Sequence, residues 1–169
     1  MALPFAGTVP DMEKQQSERD KLNTEMRDIM EEARVILPGV QALFGFQTIA
    51  VFNERFGDLE TYAKACHVLG LGMVVITIGM IMTPAIYYRA CAGHATRHMA
   101  KVSTLMIRGG LVPLAVGLSL DMFTVLFVAS ASLGLSIFGA AATFVLFAAL
   151  WYALPVLGRK RYQPGNRGV

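Results

Sequence analysis

From Thr61 to the end of the chain, in more than a hundred residues, there is one acidic side chain, Asp121. It lies within LVPLAVGLSLDMFTVLFVA, thirteen residues past Arg108. On a helix that is ~20 Å of rise, which places it beyond the middle of a bilayer if Arg108 marks the near edge. An ionised carboxylate at such a depth costs about 2.5–3.5 kcal/mol on insertion scales, so an acid kept there faces a polar cavity or a partner. Two chemistries fit Asp121. It is a protonated structural acid bonded to Ser or Thr neighbours, or it binds a proton or cation during transport.

Other polar side chains sit near it in hydropathy but not in sequence. Gln41 and Gln47 are six residues apart, so on one helix they point about 120° away from each other. Gln41 reads as a deep interhelical hydrogen bonder and Gln47 as one nearer the outside. His67 has no evident partner and reads as an interfacial residue. Cys91, His94 and His98 have a spacing that could ligate zinc. Only three ligands are present and Arg97 stands among them, so no metal site is expected, and no cofactor either. Cys66 and Cys91 are 25 residues apart; on a continuous helix that is about 37 Å, far beyond the ~7 Å limit for a disulfide. Both read as small packing residues. There is no nucleophile–base set, phosphate loop or dinucleotide fingerprint; the Gly134-to-Gly139 spacing lacks the following Lys and Ser/Thr. Enzymatic activity is not expected.

The elements that must position these groups follow from composition. Of the 169 residues, 54% are hydrophobic, and mean hydropathy is +0.50. Eight of the 12 acids precede Arg34 and three lie between Glu54 and Glu60. A soluble fold of this length would need a charged surface that residues 61–169 cannot supply. Four apolar runs, 35–52, 66–88, 105–129 and 134–157, are long enough to span a bilayer core of about 30 Å. Lys and Arg flank them thirteen to two in favour of the N-terminal side, the second loop and the C-terminal tail. The positive-inside rule therefore puts both termini in the cytoplasm. Arg89, Arg97, Lys101 and Arg108 in the second loop, and Arg159, Lys160 and Arg161 after the last span, would meet lipid headgroups. That use of the net charge of +3 leaves no reason to invoke nucleic acid.

Ahead of the spans, residues 17–34 carry Leu22, Met26, Ile29, Met30 and Ala33 at helical spacing on an otherwise charged segment. This is an amphipathic helix lying at the cytoplasmic surface or packed on the bundle, with a partner-binding helix as the alternative. Residues 1–16 and 158–169 read as a disordered tail and a basic tail. The opening MALPFAGTVPDMEKQQ has no basic-then-apolar pattern of a cleaved signal, so the first span is expected to act as the uncleaved one. Pro38, about one turn into that span, removes a backbone donor and clashes with the carbonyl of Arg34, predicting a kinked entry. Gly39 and Gly45 then allow close approach of another helix. Ser132, Ser136 and Ala140 form a small-residue ladder with Gly139 beside it, a second packing face. The expected class is all-α integral membrane: four transmembrane helices, both ends inside, preceded by an amphipathic helix.

EARVILPGVQALFGFQ, a short acidic-aromatic loop and a second helix ending in TPAIYYR together resemble a family of small bacterial inner-membrane proteins of unknown function. Its motif is close to E-x-R-V-x-x-P-G-x-Q-x-L-F-x-F, carried here by Glu32, Arg34, Val35, Pro38, Gly39, Gln41, Leu43, Phe44 and Phe46, then Pro84, Tyr87, Tyr88 and Arg89. The resemblance covers roughly residues 32–155. It implies location in the bacterial inner membrane and carries an automatic label, sodium:proton antiporter, borne by some members. Two functions follow as expectations. One is a non-enzymatic accessory or scaffold subunit, self-associating or joined to other membrane subunits. The other is a small proton- or sodium-coupled transporter using Asp121. A sensor of the cytoplasmic leaflet acting through the basic loop is a third.

Overall fold

The computed structural model describes residues 9–91 and 93–161, without the side chains of residues 9–11, 55 and 159–161. Every regular element among them is helical. The first, α1, runs Val9–Ala50 as one helix of 42 residues, about 63 Å long at 1.5 Å per residue. Two corrections to the sequence reading follow. Residues 9–16 are helix rather than disordered tail, and no break separates an amphipathic helix from a first span. The reason is a single inward stripe. Leu22, Met26, Ile29, Ala33, Leu37, Val40, Phe44 and Gln47 recur at three- and four-residue steps, and all are buried or half-buried. The stripe keeps its phase through Pro38, which sits exposed on the opposite face. Packing of a continuous face outweighs the single backbone bond that proline removes. At the N-terminal end Met26 and Ile29 enter the same core cluster as Met99, Ala100 and Ile107, so this half of α1 packs on the bundle. An exposed Glu18–Arg97 ion pair at 2.8 Å accompanies it, worth roughly 0–1 kcal/mol.

A short turn of helix, α2 (Glu54–Gly57), leads to α3 (Thr61–Ala90), and then to α4 (Arg97–Ser130). Thr96 caps α4, its hydroxyl accepting the Met99 N–H at 3.2 Å. α3 and α4 are antiparallel and pack along most of their length. Their facing seams are regular. Ala63, His67, Gly70, Val74, Thr77, Ile81 and Pro84 are buried on α3; Ala100, Ser103, Ile107, Gly110, Leu114, Gly117 and Thr124 are buried on α4. Alternating three- and four-residue steps are the repeat of a left-handed helix pair. Small residues set the separation. A Cβ at Gly117 would lie 3.1 Å from the Gly70 carbonyl, and one at Gly110 would lie 3.5 Å from Met80 Cβ. Thr77 Oγ1 donates to the Met73 carbonyl at 2.9 Å and reaches across to the Gly110 carbonyl at 3.3 Å.

Ala131, in the left-handed region at φ 51°, turns the chain into α5 (Leu133–Ala148). Ser132 caps it and its carbonyl takes the Ser136 hydroxyl at 2.8 Å. Ser136 is fully buried, and a Cβ at Gly139 would overlap Leu126 Cδ1, so this face is used against α4. A π-helical turn, Ala149–Ala153, continues into α6 (Leu154–Arg161). The Trp151 ring lies tilted against Phe147, centroids 4.5 Å apart, and packs against the core, while Tyr152 donates to the Arg108 carbonyl at 3.1 Å. The start of the basic tail is thus helical; residues 162–169, and 1–8 at the other end, lie outside the described residues.

Among the described residues, three helical stretches are long and apolar enough to cross a membrane: Thr61–Ala90, Arg97–Ser130 and Leu133–Gly158. α1 is not one of them. Its apolar half ends at Ala50, with Val51 and Phe52 already in the turn, and is fused to a charged half. The crossing of α3 and α4 yields a direct expectation. Gly117→Ala should lower the melting temperature in detergent, by about 1–3 kcal/mol of stability, through overpacking against a backbone carbonyl. Gly72→Ala, in open space on the outer face of α3, should leave stability unchanged or slightly raised.

Candidate functional site

Asp121 continues the α4 seam, four residues after Gly117 and three before Thr124. It therefore points inward, and two other helices bring polar groups to it. Gln47 comes from the last turn of α1; its Nε2–H donates to Asp121 Oδ2. His67 comes from the second turn of α3. Its Nε2 lies 3.0 Å from the Gln47 backbone carbonyl, and its Nδ1 lies 3.7 Å from Asp121 Oδ1. Gln47 is 5% exposed and His67 4%, so three helices converge on one largely buried polar cluster. Phe56 of α2 covers it, with its ring edge-on to the imidazole at 5.3 Å. A second aromatic group, Tyr62, Phe123 and Phe127, packs beside it.

Glycine gives the carboxyl its room. A Cβ at Gly70 would lie 3.2 Å from Asp121 Oδ1 and 3.3 Å from the Gly117 carbonyl. The tight crossing of α3 and α4 and the acid therefore occupy the same spot. Gln47 is three residues from the end of α1, His67 six from the start of α3 and Asp121 nine from the end of α4. The cluster lies about 5–14 Å inside the end of the bundle that carries the α1–α3 and α4–α5 connections. Two buried oxygens in it, Asp121 Oδ1 and Gln47 Oε1, have no hydrogen-bond partner.

Several expected roles change. Gln41 is exposed and makes no hydrogen bond among the described residues; the deep interhelical amide is Gln47. The two are on different sides of α1, and the inward stripe selects the second. At Gly39 and Gly45 an added methyl would find nothing within 4 Å, so no other helix among the described residues approaches them closely. Ser119 and Thr124 bond carbonyls of their own helix, those of Ala115 and Leu120, rather than Asp121. His67 is a buried partner of the acid, not an interfacial residue. The signal that finds it is the α3 seam, since His67 falls four residues after Ala63 and three before Gly70.

Elsewhere, Arg34 is exposed, Phe44 is half-buried against the core and Pro84 is buried in the α3 seam. Arg89, Arg97, Lys101 and Arg108 are exposed; the side chains of Arg159, Lys160 and Arg161 lie outside the described residues. Ser132 is exposed and Ala140 half-buried. Cys91, His94 and His98 do not gather, and among the described residues no three His, Cys, Asp or Glu side chains form a group able to hold a metal. Cys66 and Cys91 are both free and half-buried.

Long apolar helices packed through small-residue seams around one buried acid define the class: an all-helical membrane protein. Within that class the chain belongs to DUF6328, a family of unknown function whose model matches residues 15–155. No curated protein and no solved structure matches it.

The two glutamines provide a test of the cluster. Gln47→Leu removes the donor to a buried carboxyl and should cost about 1–3 kcal/mol. Gln41→Leu should change the stability of the isolated chain by no more than about 0.5 kcal/mol. Unfolding in mixed micelles, followed by circular dichroism, measures both; equal losses would contradict the assignment.

Proposed function

We propose that this protein crosses the bacterial inner membrane four times, with both termini cytoplasmic, and works by association, as a non-enzymatic accessory or scaffold subunit of a membrane complex. The observation that carries the reading is Gln41. It stands on the outward face of α1, exposed, in line with Pro38 before it and Gly45 after it. With α1 as the first span, this amide faces hydrocarbon unless another helix covers it. An uncovered amide in lipid is costly, whereas an amide beside glycine in open space is a helix-packing surface without its neighbour. Val35 and Phe46, 81% and 73% exposed, lie about 120–140° further round α1, so the uncovered arc of the helix is wide.

The test is purification into nanodiscs directly from the native membrane, followed by mass spectrometry and stoichiometry. A second copy or another membrane subunit should appear at fixed ratio. Gln41→Leu and Gly45→Leu should reduce its yield while leaving the melting temperature of the chain unchanged. A wild-type chain that emerges alone, with both variants indistinguishable from it, sinks the proposal.

A second reading, a small proton- or sodium-coupled transporter, is favoured by the pairing of Asp121 with His67 inside the bundle. It requires pH-driven flux in proteoliposomes that Asp121→Asn abolishes in a folded protein. Absence of flux in wild type removes it.

A further inference from the structure

We propose that His67, Asp121 and Gln47 form a binding site for one exchangeable proton, held between His67 Nδ1 and Asp121 Oδ1, and that its occupancy governs how firmly the end of α1 docks on α3 and α4. The inference goes beyond the association reading and does not depend on it.

Donor and acceptor roles lead to it. The neighbour of His67 Nε2 is a backbone carbonyl, that of Gln47 at 3.0 Å. A carbonyl only accepts, so Nε2 carries a proton and donates it. In a neutral imidazole the other nitrogen, Nδ1, is then a bare acceptor. What it faces at 3.7 Å is Asp121 Oδ1, a carboxylate oxygen with no other hydrogen-bond partner. Two lone pairs opposed at buried atoms repel each other. One added proton turns the opposition into a bond, either as imidazolium beside carboxylate or as neutral acid donating to neutral imidazole. The proton belongs to the pair.

Gln47 fits both charge distributions. With Nε2 toward Asp121 Oδ2, as here, it donates to a carboxylate. In the neutral acid, whose proton on Oδ1 points to Nδ1, Oδ2 is the carbonyl oxygen and still accepts the same Nε2–H. Among the described residues no fixed charge competes. α1 offers the uncharged Gln47, α2 the Phe56 ring, α3 only His67 and α4 only Asp121 as titratable groups in contact. Glu54, Asp58 and Glu60 lie on the connection outside the cluster, Lys64 Nζ donates to the Gly57 carbonyl at 2.7 Å, and Tyr62 packs on Phe123 and Phe127. Asp121 Oδ1 is itself buried, while the side chain as a whole keeps 15% exposure, so the proton exchanges with the near end of the bundle only when the cluster opens. As pH rises the proton leaves, Nδ1 and Oδ1 repel, and of the two contacts that pin α1 only the Gln47–Asp121 bond is undisturbed.

The experiment uses the full chain in nanodiscs of phosphatidylethanolamine and phosphatidylglycerol, scanned over roughly pH 5 to 8, where imidazole charge changes. Infrared difference spectra should show carboxyl and imidazole bands titrating together. Spin labels at Ile49→Cys and Leu69→Cys, with Cys66 and Cys91 replaced by Ser, should report a longer or broader distance at high pH. Asp121→Asn gives Nδ1 a permanent N–H donor and should abolish both responses with the short distance retained. Should that variant fail to fold, His67→Gln, which has no titrating ring, should likewise lose the coupled bands. The proposal falls if wild type shows no titrating carboxyl–imidazole signal, or if either folded variant keeps the wild-type pH response.

Discussion

The constraint on which this fold depends is a carboxyl group placed where water is scarce. Asp121 on the inward seam of α4 is tolerable only if other helices supply its hydrogen bonds, since an isolated buried charge costs several kcal/mol. The surrounding sequence answers that need at each point. Gly70 and Gly117 bring α3 and α4 close enough for His67 to reach, and remove the methyl groups that would fill the carboxyl's space. α1 extends as far as Gln47 on the inward stripe and ends three residues later. A polar contact deep in an apolar bundle also selects register: sliding α1 by one turn would bury Gln47 away from its acceptor and leave Asp121 bare. Nonspecific apolar packing along the stripe has no such preference.

The continuity of α1 gives that contact reach. One helix joins the buried cluster at Gln47 to the core contacts of Met26 and Ile29 and to the exposed ion pair at Glu18. The surface pair adds little energy, because both side chains are mostly in water. The apolar stripe supplies the attraction and the polar cluster fixes the position.

Much of this was legible in the sequence, and the misses share one cause. Apolar length located the middles of α3, α4 and the α5–α6 stretch but not their starts, since α3 begins at Thr61 and α4 at Arg97, five and eight residues ahead of the apolar runs. The stripe from Leu22 to Ala33 identified the amphipathic part of α1. Its fusion to the apolar part was not legible, since Pro38 and the change from charged to apolar residues both argued for a boundary, and only a phase count carried through to Gln47 opposes it. Choosing between Gln41 and Gln47 had the same difficulty. Their 120° separation was plain, but which side faces inward depends on the seam of the neighbouring helices. His67 was overlooked because its partners lie 20 and 54 residues away. The seam of small and polar residues around it, Ala63 to Pro84, was the available signal, and hydropathy alone hides it because alanine, glycine and threonine score little.

The two glutamines finally separate what the bundle does for itself from what it leaves undone. Gln47 is used internally: its amide serves Asp121 and its carbonyl serves His67. Gln41 presents the same chemistry on the other side of the same helix, with no acceptor from the described residues of the chain. If the polar groups of α1 existed only to stabilise the monomer, a leucine at position 41 would do as well and would be less costly to insert. On the association reading proposed above, the outward amide beside Gly45 is addressed to a different molecule, and the inward one holds the helix that presents it. On the proton-site proposal, a change in the protonation of the His67–Asp121 pair would act on the inner contact first and reach the outer face through the helix they share.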